Sequence, residues 1–153
     1  MIVIVALGSI YYLYSQGLLN LSPGSTYTPT PSVTKSANIK VENLSTQASQ
    51  IQKLLPSGTP LETGAEILSS TKQTYKNPTR ILISAQFVSK KSIAENYVLY
   101  QSYLKTGGYT ITNQSNQKDF AALYGTSKDN KTFVFTASID AQKRVVVSLA
   151  YSQ

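Results

Sequence analysis

Glu62 and Glu66 are the only closely spaced pair among the seven acidic side chains, and paired carboxylates are what general acid and base chemistry at a glycosidic bond requires. Such a pair is defined by its separation in space, which a spacing of four residues does not supply. The other reactive combination is Ser89-Lys90-Lys91-Ser92. The chain has no histidine, so a serine nucleophile would need a lysine as its base, and this stretch is where the two types meet. The same four residues read more simply as a polar approach to a helix with a capping serine. Without Cys, thiolate zinc sites, disulfides and a cysteine nucleophile are excluded, and no Asp-x-Asp-x-Asp loop offers oxygen ligands to a hard cation. No catalytic residue, metal site or cofactor is expected, and the chain reads as non-enzymatic.

The elements around these residues account for most of them. Ser92-Ile93-Ala94-Glu95 matches a capping box, in which the serine hydroxyl and the glutamate carboxylate satisfy the first free amides of a helix. Ile93, Tyr97, Tyr100 and Leu104 follow at i, i+4, i+7 and i+11, one apolar stripe able to cover a sheet, with Lys105 favourable in the last turn. Gly107 or Gly108 closes the helix in a left-handed conformation, and Tyr109 leads into a strand. An anion cradle needs glycines ahead of a helix N-terminus, whereas this pair follows a C-terminus, so its role is structural. The structural set is therefore Ser92, Glu95, Tyr97, Tyr100, Leu104, Gly107, Gly108 and Tyr109.

On either side the period changes to two. Ile81 to Val88, Phe133 to Ile139 and Val145 to Tyr151 alternate as half-buried antiparallel strands do, with weaker strands at Glu66–Thr71, Tyr109–Asn113 and Phe120–Thr126. Asp129-Asn130 and Asp140-Ala141-Gln142-Lys143 are turn compositions between successive strands. The fold class expected is α+β, an antiparallel sheet with one helix packed across it, spanning 56–153. Pro56, Gly58, Pro60 and Gly64 mark its boundary.

Residues 1–21 are uncharged and strongly apolar up to Tyr14. As a helix they would reach about 31 Å, close to the ~30 Å hydrocarbon core, and read as a transmembrane anchor with Tyr11, Tyr12 and Tyr14 at an interface. A signal peptide would begin with basic residues, and their absence ahead of Ile2 points to a chain that starts inside a longer gene product. Residues 22–55 read as a Ser/Thr/Pro-rich tether, with a short amphipathic helix at 43–55 carried by Leu44, Ala48, Ile51 and Leu55.

"GAEIL" at 64–68, "YQSYLKTGGYTI" at 100–111 and "FAALYGTSKDNKTFVFTASI" at 120–139 resemble a small α+β domain found behind N-terminal anchors or lipid attachment sites in bacterial surface proteins. The shared pattern is an aromatic, Leu-Lys, a Gly and an aromatic before a strand, here Tyr100, Leu104, Lys105, Gly108 and Tyr109. The chain departs from it in having Tyr109 where Trp is common and no Cys for lipidation. The resemblance implies a location outside the cytoplasmic membrane and no established activity, and it carries over no functional residues.

Fourteen Lys and Arg against seven Asp and Glu give a formal charge of +7, scattered without a run of five. The reading is a single-pass protein of the cytoplasmic membrane whose extracytoplasmic domain binds or supports an envelope protein or an anionic wall polymer. The alternative is a cytoplasm-facing basic adaptor for nucleic acid or anionic lipid, with Lys90, Lys91, Lys105 and exposed tyrosines as a stacking surface. No RNP-like signature supports nucleic acid, which is the weaker partner.

Overall fold

The computed structural model describes residues 39–44, 46–76 and 78–153. The expected anchor at 1–21 and most of the tether lie outside those residues, and among the described residues no helix is long and apolar enough to cross a membrane.

Among the described residues, seven strands form one antiparallel sheet: β1 Ile39–Asn43, β2 Glu66–Lys76, β3 Thr79–Ser89, β4 Thr110–Asn116, β5 Phe120–Thr126, β6 Thr132–Ile139 and β7 Val145–Ser152. Their order across the sheet is β1-β2-β3-β7-β6-β5-β4. The chain lays down β1 to β3, crosses by a helix to the far edge, and returns through β4 to β7 until β7 pairs with β3. Helix α1, Ala48–Gln52, precedes β2, and helix α2, Ile93–Thr106, makes the crossing. The sheet thus begins inside the segment that reads as a tether, and the helix expected over 43–55 is confined to Ala48–Gln52. Strands β2 and β4 also run further than their apolar pattern, to Lys76 and Asn116.

Alternation decides which face each strand buries. Ile83, Ala85 and Phe87 of β3 meet Tyr151, Leu149 and Val147 of β7 across the ladder, and Phe133, Phe135 and Ala137 of β6 continue the same layer. All nine are buried in one cluster with Ile93, Tyr97, Tyr100 and Leu104 of α2, the stripe read from the sequence. Helix α2 covers β4 to β6. Ile51 and Leu55, from α1 and the turn after it, enter the same core, and α1 packs against β2.

Both ends of α2 are closed as its sequence dictates. Ser92 Oγ accepts from the Glu95 amide at 3.2 Å, and the Ser92 amide donates to Glu95 Oε2 at 2.8 Å. The Ser92 hydroxyl also donates to Glu95 Oε2 at 2.7 Å, and this bond first, with the one from the Ser92 amide second, holds the Glu95 carboxyl below its usual range. At the other end the Tyr109 amide reaches Leu104 O at 2.9 Å and the Gly108 amide reaches Lys105 O at 3.3 Å, the two bonds of a Schellman cap. Gly108 is the left-handed residue, at φ +76°. Gly107 has an ordinary φ but is confined in another way: a Cβ there would lie 3.0 Å from Tyr103 O. Gly108→Val should cost about 1–2 kcal/mol through the left-handed penalty, and Gly107→Val should also destabilise by displacing the Tyr103 carbonyl. Thermal unfolding of the two variants checks this, and two unchanged melts would refute the cap.

Candidate functional site

The structure separates the two expected acidic neighbours and brings one of them to the serine. Glu66, at the start of β2, pairs with Arg144 at 3.3 Å. Glu62, in the loop before β2, accepts from Ser89 Oγ and from the Lys90 amide at 3.1 Å. Asn96 completes the group from the first turn of α2, donating Nδ2 to Ser89 Oγ at 3.0 Å, to Lys91 O at 3.2 Å and to Ser92 O at 2.9 Å. The Lys91 amide donates to Ser89 Oγ at 3.1 Å.

This geometry is a latch. The Ser89 hydroxyl donates a hydrogen bond to Glu62 and receives hydrogen bonds from Lys91 and Asn96, which occupy both oxygen lone pairs. A lone pair so engaged is not presented to an electrophile, and Ser89 is only 6% exposed. What the cluster does is tie the end of β3, the start of α2 and the 56–65 loop together. Asn96, 1% exposed, was not legible as part of it. The one signal is its position, three residues after Ile93 on the buried side of the helix.

Other expected residues have similar duties. Tyr97 donates its hydroxyl to Gln114 of β4 at 3.0 Å, and Tyr100 donates to the Pro60 carbonyl. Asp140 accepts from the Arg144 amide at 2.8 Å, from Arg144 Nε at 2.9 Å and from the Gln142 amide at 2.9 Å, so that it sits below the usual carboxylate range. Five of the seven carboxylates, Glu42, Glu62, Glu66, Glu95 and Asp140, thereby have structural partners. Lys90 and Lys91 lie at one end of the sheet and Lys105 at the other, so the three lysines do not form one surface.

Two surface properties stand apart from these structural roles. The first is the sheet face turned away from α2. Leu82, Ser84, Gln86 and Val88 of β3 continue across the register into Ser152, Ala150, Ser148 and Val146 of β7, then Thr132, Val134, Thr136 and Ser138 of β6. Thr126, Tyr124, Ala122 and Phe120 of β5 carry the rows further. None of these sixteen side chains is charged, and the face is a field of hydroxyls, small apolar groups, one amide and two aromatic rings. Polar pairs on it are satisfied locally, as in Gln86 Nε2 to Ser148 Oγ at 3.2 Å.

The second is the distribution of charge between the two ends of the sheet. At the end holding the start of α2 and the β6–β7 turn, Lys90, Lys91, Lys118, Lys143 and Arg144 are matched by Glu62, Glu66, Glu95, Asp119 and Asp140. At the opposite end lie the β2–β3 turn, the β5–β6 turn and the C-terminus of α2. Lys76, Arg80, Lys105, Lys128 and Lys131 lie there with Asp129 as the one acidic side chain.

Two open grooves flank the helix, of about 490 Å³ beside its first turn with Lys118, Ile139 and Val145, and about 450 Å³ between Gln101, Lys105 and β4. Among the described residues no group of three or more acidic, His or Cys side chains is placed to hold a metal. Compared with family models, with curated proteins and with solved structures, the chain matches none.

Proposed function

We propose that this chain is a membrane-anchored extracytoplasmic module, held by residues 1–21, that binds or braces an envelope protein or an anionic wall polymer without catalysing a reaction. The observation that carries the reading is the uncharged open face of the sheet, which keeps its charges at the strand ends. A face built from hydroxyls and small apolar groups costs little to desolvate and still offers hydrogen bonds, as a docking surface needs. The use of Glu62 and Ser89 in a structural latch supports a role in binding over one in catalysis. The resemblance to anchored surface domains supports the location.

Protease treatment of intact cells carrying the full chain with a C-terminal tag tests the location, with lysed cells as control. Cleavage from outside is the expected result. Protection until lysis would overturn it and favour the cytoplasm-facing adaptor for nucleic acid or anionic lipid. For the face itself, Thr136→Lys should abolish co-purification of envelope partners, with thermal unfolding as the folding control.

A further inference from the structure

The end of the sheet rich in cations is also the end at which the chain enters the fold. Strand β1 runs antiparallel to β2 with Ile39 opposite Tyr75, and Tyr75 in turn lies opposite Arg80. Ile39 therefore stands beside the β2–β3 turn, and the polypeptide arriving from residue 38 arrives at Lys76 and Arg80. The seventeen residues from 22 to 38 can extend no further than about 60 Å, which bounds the distance from the end of an anchor at residue 21 to this surface.

Across the sheet from β2 to β5 there are four strand spacings, about 19 Å in all, so the β2–β3 and β5–β6 turns present their cations along one edge of nanometre width. Lys76, Arg80, Lys105 and Lys128 are exposed, Lys131 is half-exposed, and Asp129 is the single acidic side chain among them. The opposite end is charge-balanced.

We propose that this cationic end docks on anionic lipid headgroups of the bilayer that holds residues 1–21, so that the domain stands on the membrane by its β2–β3 and β5–β6 turns. The proposal rests on the anchor reading of residues 1–21 and deepens it by fixing which end of the domain faces the lipid. A bilayer bearing anionic headgroups attracts basic segments held within a Debye length of its surface, and an anchor supplies the closeness that a free domain would lack. The domain's uncharged face would then stand upright, clear of the lipid and open to a partner.

The test uses the full-length protein, which lacks cysteine, reconstituted into phosphatidylcholine vesicles with and without phosphatidylglycerol. A single fluorophore is attached at Thr79→Cys, the first residue of β3 beside the β2–β3 turn, or at Ala141→Cys in the β6–β7 turn. Quenching is read from spin-labelled headgroups. The expected result is quenching at position 79 in the anionic vesicles, none at 141, and loss of the signal at about 0.5 M salt, where screening falls within about 4 Å. The signal should also be lost when Lys76, Arg80, Lys128 and Lys131 are all changed to Gln, with an unchanged melt as folding control. Equal quenching at both ends, equal quenching in neutral and anionic vesicles, or quenching that survives the four substitutions would each overturn the docking alone. Failure of the protein to float with neutral vesicles would overturn the anchor, and the docking with it.

Discussion

Tyr100→Ala should lower the stability of the domain by about 3–5 kcal/mol, the range for removing a large buried ring. Tyr100 is 0% exposed, its ring stacks on Phe135 at 4.4 Å between centroids, and Phe133 lies at 6.4 Å. It is the point where the α2 stripe meets the β6 layer. Tyr100→Phe keeps the ring and leaves the Pro60 carbonyl without its donor, which should cost about 1–2 kcal/mol. Denaturant unfolding checks both, and a loss below about 1 kcal/mol for the alanine variant would mean the core repacks around the hole. Alkaline titration adds a second reading of the same site. Burial, with the Glu62 charge as a smaller cause, raises the ionisation of Tyr100, and burial pushes Tyr109 up to about 12. A folded-state value above the unfolded one near 10 contributes stability that is complete below pH ~10 and lost as pH rises through the folded value. The fold should therefore weaken progressively above pH ~10, and the Tyr100→Phe variant should lose less over that interval.

The second large effect belongs to the latch. Asn96→Asp removes the Nδ2 donor that serves Ser89, Lys91 and Ser92, and sets a buried carboxylate against three acceptors and near Glu62. An unpaired charge so placed should cost about 3–5 kcal/mol at neutral pH. Burial and the nearby carboxylate raise the ionisation of the new Asp, so the deficit should shrink as pH falls toward its unfolded value near 4. Ser89→Ala, which leaves Asn96 its two carbonyl partners, should cost less. A variant Asn96→Asp that melts like the parent at pH 7 would show that the three elements are held together by something else.

The contrast between these two sites reflects what a sequence discloses. The Tyr100 environment was legible because period two in β3, β6 and β7 and period 3.6 in α2 each mark a face, and opposed apolar faces must meet. The capping box and the glycine pair were legible because their bonds are local. The latch was not, because Glu62 and Ser89 are 27 residues apart and meet only when the 56–65 loop folds over the end of β3. Strand β1 was missed for a different reason. At the sheet's edge there is no core to bury, so Ile39 and Val41 are exposed and Lys40 and Glu42, paired with each other, alternate with them. Similarly, the polar stretch Ser69–Lys76 is a strand by virtue of its ladder to β3 and β1, which hydrophobic pattern does not record. The uncharged face and the uneven ends emerge only once topology assigns each turn to an end.

The position of β7 has a consequence for how the protein is made. Residues 39–89 supply one block of strands and residues 110–139 another, and β7 alone joins them, pairing with β3 on one side and β6 on the other. While synthesis has reached only Ile139, the inner edges of β3 and β6 have no partner and the buried layer of β3 has no continuation. Ribosomes add about 5–20 residues per second, so the sheet stays in two pieces for a further second or so of synthesis after Ile139, until β7 has been added. A nascent chain of this kind reaches whatever machinery handles it still open at its centre, and the sheet closes only when β7 is delivered.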